Sequence, residues 1–251
     1  MSRFTGRGFF ALASFGLSTL VFVSDLRAHE FIIKPAVLRA KVGAKIPVSV
    51  LSTHVFMTGE ELLPAESVNV TVLEGGKSVD VPLKENSSSQ ALEGIATVHA
   101  KGTAIIAGHL REPVETVASQ ETGSPQKVRF EKFCKVLVTV DAADKNYEKV
   151  LGHRLEIVPV GNPAVARAGD ELVFKILFDG KPLQAYVYAT YDGFSRHYNT
   201  YAYATESRDG IAHVKPSHPG MWMIRVEKRT PADNKDYDLL SLKATLIFAV
   251  Q

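Results

Sequence analysis

The sequence predicts an all-β protein: two β-sandwich domains of immunoglobulin- or transthyretin-like type in tandem, behind a signal peptide. Three observations predict it. Short β-branched and aromatic runs recur along the chain, turns rich in Gly, Pro and Asp separate them, and amphipathic helical periodicity is scarce. The length beyond the signal suits two domains of about 100 residues.

The first element is the export signal. Arg3 and Arg7 supply a positive start, Gly8 to Val23 is an uncharged apolar run, and Ala28 is a small residue at the cleavage position. Cleavage after Ala28 defines residues 1–28 as the signal and sends the mature protein out of the cytoplasm. The chain has 29 basic and 27 acidic residues; without Arg3, Arg7, Arg27 and Asp25 it has 26 of each. Near-neutrality without a Lys/Arg cluster argues against nucleic acid or an anionic membrane surface as partner. No later apolar stretch approaches the roughly 18 residues of a membrane span, so stable membrane insertion of the mature chain is not expected.

The strand candidates follow. Ile46–Val50, Val68–Leu73 and Val136–Val140 belong to an N-terminal domain, residues 29–142. Leu155–Val160, Leu172–Phe178, Tyr186–Tyr191, Met221–Val226 and Leu246–Val250 belong to a C-terminal domain, residues 155–251. Turn signals include Glu74-Gly75-Gly76, Asp179-Gly180-Lys181-Pro182 and Asp209-Gly210. Asp141 to Arg154 is polar, lacks alternation and reads as the linker. Cys134, the one cysteine, sits in a strand-like run and reads as a buried thiol.

Candidate chemistry rests on histidine. Cleavage after Ala28 makes His29 the first mature residue, and its α-amine and imidazole can chelate one metal ion. An α-amine has a pKa of about 7.7–8.0, low enough to deprotonate on a metal near neutral pH. His54 and His109 follow strand runs, and His197 lies in an aromatic and polar loop, places where ligand sites are mounted. The candidate ligands are therefore His29, His54, His109 and His197, with His54 next in rank after His29 and His109 and His197 behind it. His99, His153, His213 and His218 read as solvent-facing, linker or turn residues. Glu60 and Glu61, being adjacent, read as solvated carboxylates, and Met57 as packing beside Phe56. No His-Glu-x-x-His, Cys-x-x-Cys, Gly-x-Ser-x-Gly or phosphate-loop pattern is present, so binding rather than enzyme activity is expected. Nitrogen donors suit a borderline divalent transition-metal ion, and bind Cu²⁺ most tightly. The alternatives are a copper histidine-brace protein or enzyme, and a non-metal module that binds a glycan or protein through the segment Tyr186 to Tyr203.

Ala28-His29-Glu30-Phe31 with Pro35 resembles the mature start of DUF4198 proteins. The order Gly169-Asp170, Phe178-Asp179-Gly180-Lys181-Pro182, Tyr191-Asp192-Gly193-Phe194 and His218-Pro219-Gly220-Met221-Trp222 is similar to that family along the second half. The resemblance implies a periplasmic accessory protein of nickel or cobalt uptake, working beside an inner-membrane cobalt/nickel-type transporter. The chain departs from the family at Thr53, where glycine is frequent, and over Arg111 to Gln126.

Overall fold

Residues 29–119, 121–198 and 200–251 are described by the structure, a computed structural model. The signal expected over residues 1–28 lies outside them. The first half forms β1 (Glu30–Pro35), β2 (Arg39–Ala40), β3 (Lys45–Thr53), β4 (Val68–Glu74), β5 (Lys77–Asp80), β6 (Leu83–Asn86), β7 (Ala91–Thr97), β8 (Gly102–Arg111), β9 (Glu115–Ala118) and β10 (Pro125–Val140). The second forms β11 (Leu155–Pro159), β12 (Leu172–Phe178), β13 (Lys181–Pro182), β14 (Tyr186–Tyr191), β15 (Tyr203–Glu206), β16 (Ile211–Val214), β17 (Gly220–Pro231) and β18 (Leu239–Val250). All eight runs read as strands from the sequence fall on these elements. Among the described residues there is no α-helix, and no helix long and apolar enough to cross a membrane.

The strands form three sheets. The first outer sheet has the order β1-β3-β7-β6, and the second outer sheet has β11-β12-β13 with β16 beside β12. Between them runs one ten-stranded sheet, β15-β14-β17-β18-β10-β8-β4-β5, with β2 and β9 also on β10. Its seam is the parallel pairing of β10 with β18, in register from Val128↔Leu239 to Val136↔Ile247. The two halves of the chain thus have separate outer sheets but share this inner one, and the sheet does not break at Asp141 to Arg154.

Strand alternation sends successive side chains of β10 to opposite faces. Cys134, Val136 and Val138 join Phe31, Ile33, Val48 and Ile106 in one core, beneath the first outer sheet. Phe133 and Leu137 join Phe174, Ile176, Trp222 and Phe248 in the other, beneath the second. Burial on both faces explains why β10 and β18 lack a clean polar/apolar alternation.

The connector between the halves is pinned rather than loose. The Thr103 and Asn146 N–H groups donate to Asp144 Oδ1, both at 2.9 Å. Lys135 Nζ sits 2.7 Å from Glu156 Oε1, and the N–H groups of Leu151 (2.7 Å) and Gly152 (3.0 Å) also donate to the Glu156 carboxylate.

Cys134 is fully buried, and Ile33 N–H donates to its sulfur at 3.3 Å. Burial pushes its thiol pKa up to about 11, against the opposing hydrogen bonds from Thr245 and Ile33. A buried, protonated thiol is inert. Cys134 is therefore expected to resist iodoacetamide in the native protein and to react only once denatured; mass spectrometry of the two samples checks this, and rapid native labelling would contradict it.

Candidate metal centre

The site begins with a strand register. In the antiparallel pair β1/β3, Glu30 lies opposite Thr53. One step further along that register sets His29 against His54, and their ring centroids are 3.8 Å apart. Close approach beneath β1 depends on Gly108 of β8, where a Cβ would lie 2.8 Å from Ile33 Cδ1 and 3.0 Å from Phe31 Cε1.

After His54 the chain turns back on itself. Thr58 N–H donates to Val55 O at 3.0 Å, and Glu60 N–H donates to Ser52 O at 3.1 Å. Met57 takes a left-handed backbone, φ 71°, and buries its side chain in the first core, so its sulfur is packing. Gly59 is required by space: a Cβ there would stand 2.7 Å from Ser89 O and 2.9 Å from Gln90 O. This tight return brings Glu60 under both histidines. Its Oε2 is 2.8 Å from His54 Nδ1 and 3.4 Å from His29 Nε2, and its Oε1 accepts the N–H groups of His54 (3.0 Å) and Val55 (3.1 Å). Burial alone would raise the Glu60 pKa; the hydrogen bonds from the His54 ring and from these two N–H groups outweigh it and hold the carboxyl below its ordinary range.

His29, His54 and Glu60 can each aim one donor atom into a common space, all within 4.8 Å of one another. Glu61 Oε2 stands 3.9 Å from His29 Nδ1. The reading of Glu60 as a solvated carboxylate is therefore corrected. Both carboxylates approach the His29 ring, and Glu60 is folded back by hydrogen bonds to the chain five and six residues earlier. A turn of that length after a strand-end histidine is the sequence signal for it.

Behind the histidines lies a buried charge network. Glu30 Oε1 meets Arg225 Nε at 2.8 Å and Lys243 Nζ at 3.3 Å, and Lys243 also donates to His29 O at 3.3 Å. Arg225 lies over the rings of Tyr188 and Tyr201, at 5.4 and 5.8 Å. Burial, with Glu30 nearby, pushes the Tyr201 phenol up to about 12. The network anchors the His29 backbone from β17 and β18, so the site draws on both halves of the chain.

The other histidines are placed elsewhere. His109 shares strand parity with Ile105 and Ala107, whose side chains enter the second core, whereas Gly108 faces β1. It therefore stands on the opposite face of the inner sheet from His29, and the expectation that it joins the same cluster is corrected by that alternation. Its ring stacks on Phe133 at 4.7 Å and pairs with Glu131 at 3.6 Å. His197 is exposed and lines the same narrow cleft as His54, outside the three-residue cluster. His99 and His213 are exposed, and His218 stacks on Tyr191 at 4.7 Å.

His153 stacks on the far side of Phe133, at 4.9 Å. Burial is the main cause that lowers its pKa from 6.5 to about 4; Glu156 opposes, and the charges of Lys135 and His109 add to the lowering. A base whose folded pKa is depressed binds fewer protons folded than unfolded between those two values, so stability falls as pH drops through that window. Urea unfolding of the wild type and His153→Phe between pH 7 and pH 4 is expected to show a flatter decline in the variant; parallel curves would contradict this.

The tyrosine-rich segment is largely committed to internal contacts. Tyr188 and Tyr201 hold Arg225, and Tyr191 packs on Trp222 at 5.0 Å. Tyr186 is 67 % exposed and Tyr198 64 %, and Tyr198 stacks on His54 with centroids 4.6 Å apart.

With three donors meeting at a sheet end, the molecule is an all-β protein carrying a candidate metal centre. The chain belongs to the DUF4198 family, a domain of unknown function, whose match covers residues 26–230. A search of curated proteins returned no match. Solved structures similar to it include the Escherichia coli adhesin FdeC, at 12% identity and TM-score 0.28, covering 86% of this chain and 64% of that one. The Yersinia pseudotuberculosis adhesin InvE is 11% identical, TM-score 0.26, covering 88% and 59%. The Clostridium thermocellum CbhA fibronectin(III)-like modules are 12% identical, TM-score 0.20, covering 86% and 93%. The chain spans about three fifths of the length of the two adhesin structures.

Proposed function

We propose that this is a periplasmic accessory protein that holds one divalent transition-metal ion, Ni²⁺ or Co²⁺ in the cell, through His29, His54 and Glu60. The convergence of those three residues carries the reading. Two imidazoles and a carboxylate suit borderline divalent ions. Cleavage after Ala28 adds the His29 α-amine as a fourth donor. Glu60 and Glu61 face the histidines, while Lys243 and Arg225 engage Glu30 behind them. The ion is cargo, delivered to an inner-membrane cobalt/nickel-type transporter. The Irving–Williams order makes Cu²⁺ the tightest binder in vitro, so affinity ranking does not choose the cellular metal.

Calorimetric titration with Ni²⁺, Co²⁺ and Cu²⁺ tests the reading. One ion per chain is expected near pH 7.5, with affinity fading as the solution is made acidic, because a protonated imidazole has no lone pair to give. Glu60→Gln keeps an oxygen acceptor for the His54 and Val55 N–H groups but removes the charge, and is expected to weaken binding by about 10- to 100-fold. Binding that ignores both pH and Glu60→Gln would place the ion elsewhere.

A further inference from the structure

The proposed ligands are nearly closed off: His29 is 7% exposed and the His54 side chain 9%. An ion reaching them arrives with its water shell and must exchange those waters for protein donors. The approach to His54 is the narrow cleft between its loop and the loop after β14, with Thr53, His54, Ser195, His197, Thr200 and Tyr201 among its walls. Tyr198 covers one face of the His54 ring. The polar walls are otherwise hydroxyl groups, weak ligands for a borderline ion, and the Glu30 carboxylate, which Arg225 and Lys243 already hold. His197 differs from both. Its backbone is fixed by its N–H donating to Ser195 Oγ at 2.9 Å, while its ring makes no hydrogen bond, ion pair or ring contact among the described residues. It is a nitrogen donor on the wall of the cleft that also holds His54.

We infer that His197 is the exchange ligand, through which the ion enters and leaves the centre formed by His29, His54 and Glu60. The inference rests on the metal-binding reading above. His197 replaces one water of the incoming ion, then yields to His54; on release the order reverses. Such a ligand speeds both directions and leaves the equilibrium nearly unchanged, because it is absent from the final coordination sphere.

The test is stopped-flow loading of the mature protein with Ni²⁺, and Ni²⁺ release to a chromogenic chelator, for the wild type, His197→Ala and the surface control His99→Ala. Loading and release in His197→Ala are expected to slow together by about tenfold, the scale of losing one supporting partner at a metal site. The equilibrium Kd stays within about threefold, and His99→Ala matches the wild type. Unchanged rates with normal Ni²⁺ binding would overturn the exchange role alone. A Kd raised as far as in His54→Ala would also overturn it, since His197 would then be a resident ligand. A wild type that binds no Ni²⁺ would overturn the metal reading itself.

Discussion

His54→Ala is expected to weaken Ni²⁺ or Co²⁺ binding by more than about 100-fold. Losing a supporting partner at a metal site costs about 10- to 100-fold, and this substitution removes a proposed ligand outright. It also takes away the ring nitrogen 2.8 Å from Glu60 Oε2 and the surface on which Tyr198 stacks. Alanine keeps the backbone N–H that donates to Glu60 Oε1, so the loop retains that contact. The fold should therefore survive, and the circular-dichroism melt without metal should move little. His109→Ala, on the other face of the inner sheet, should leave Ni²⁺ affinity unchanged, because His109 faces away from the three proposed ligands. Equal losses in both variants would show that the three-residue cluster is not the site.

The second large effect concerns stability. Glu156→Ala is expected to cost about 3–5 kcal/mol, the usual penalty for stripping the partner from a buried charge. Lys135 and Glu156 side chains are only 3% and 1% exposed, and lie 2.7 Å apart. Burial already lowers the Lys135 pKa, while Glu156 opposes that fall. Removing Glu156 also leaves the N–H groups of Leu151 and Gly152 without their acceptor. The double variant Lys135→Met/Glu156→Leu removes both charges and should recover a large part of the loss. Urea denaturation of the three proteins checks both statements; a cost below about 1 kcal/mol for the single variant would mean that water reaches the pair.

Much of the fold could be read from the sequence because each β-branched run needs only its neighbours to declare itself. Ile46–Val50 and Tyr186–Tyr191 alternate and are bounded by turns. The shared inner sheet was harder to read. Val128–Val136 pairs with Leu239–Ile247 across more than a hundred residues, and strand pairing at that distance leaves no local mark. Its one trace is the loss of alternation in β10 and β18, where Lys132, Lys135 and Lys243 are buried among apolar neighbours. Of the site, His29 could be read from the cleavage pattern ending at Ala28, and His54 from its place at a strand end. Glu60 was missed because its role depends on a left-handed Met57 and a close-packed Gly59. His109 misled because a strand-end position says nothing of which face is presented; its neighbour Gly108 faces β1, so His109 faces away.

The most direct test of the central claim is native mass spectrometry of the protein recovered after export and incubated with Ni²⁺, Co²⁺ or Cu²⁺. One spectrum reads both the N-terminus and the metal stoichiometry. A chain beginning at His29 that carries one ion is expected, and no retained ion in the triple variant His29→Ala/His54→Ala/Glu60→Gln. A chain that stays metal-free with all three ions, or a triple variant that still carries one, would contradict the claim.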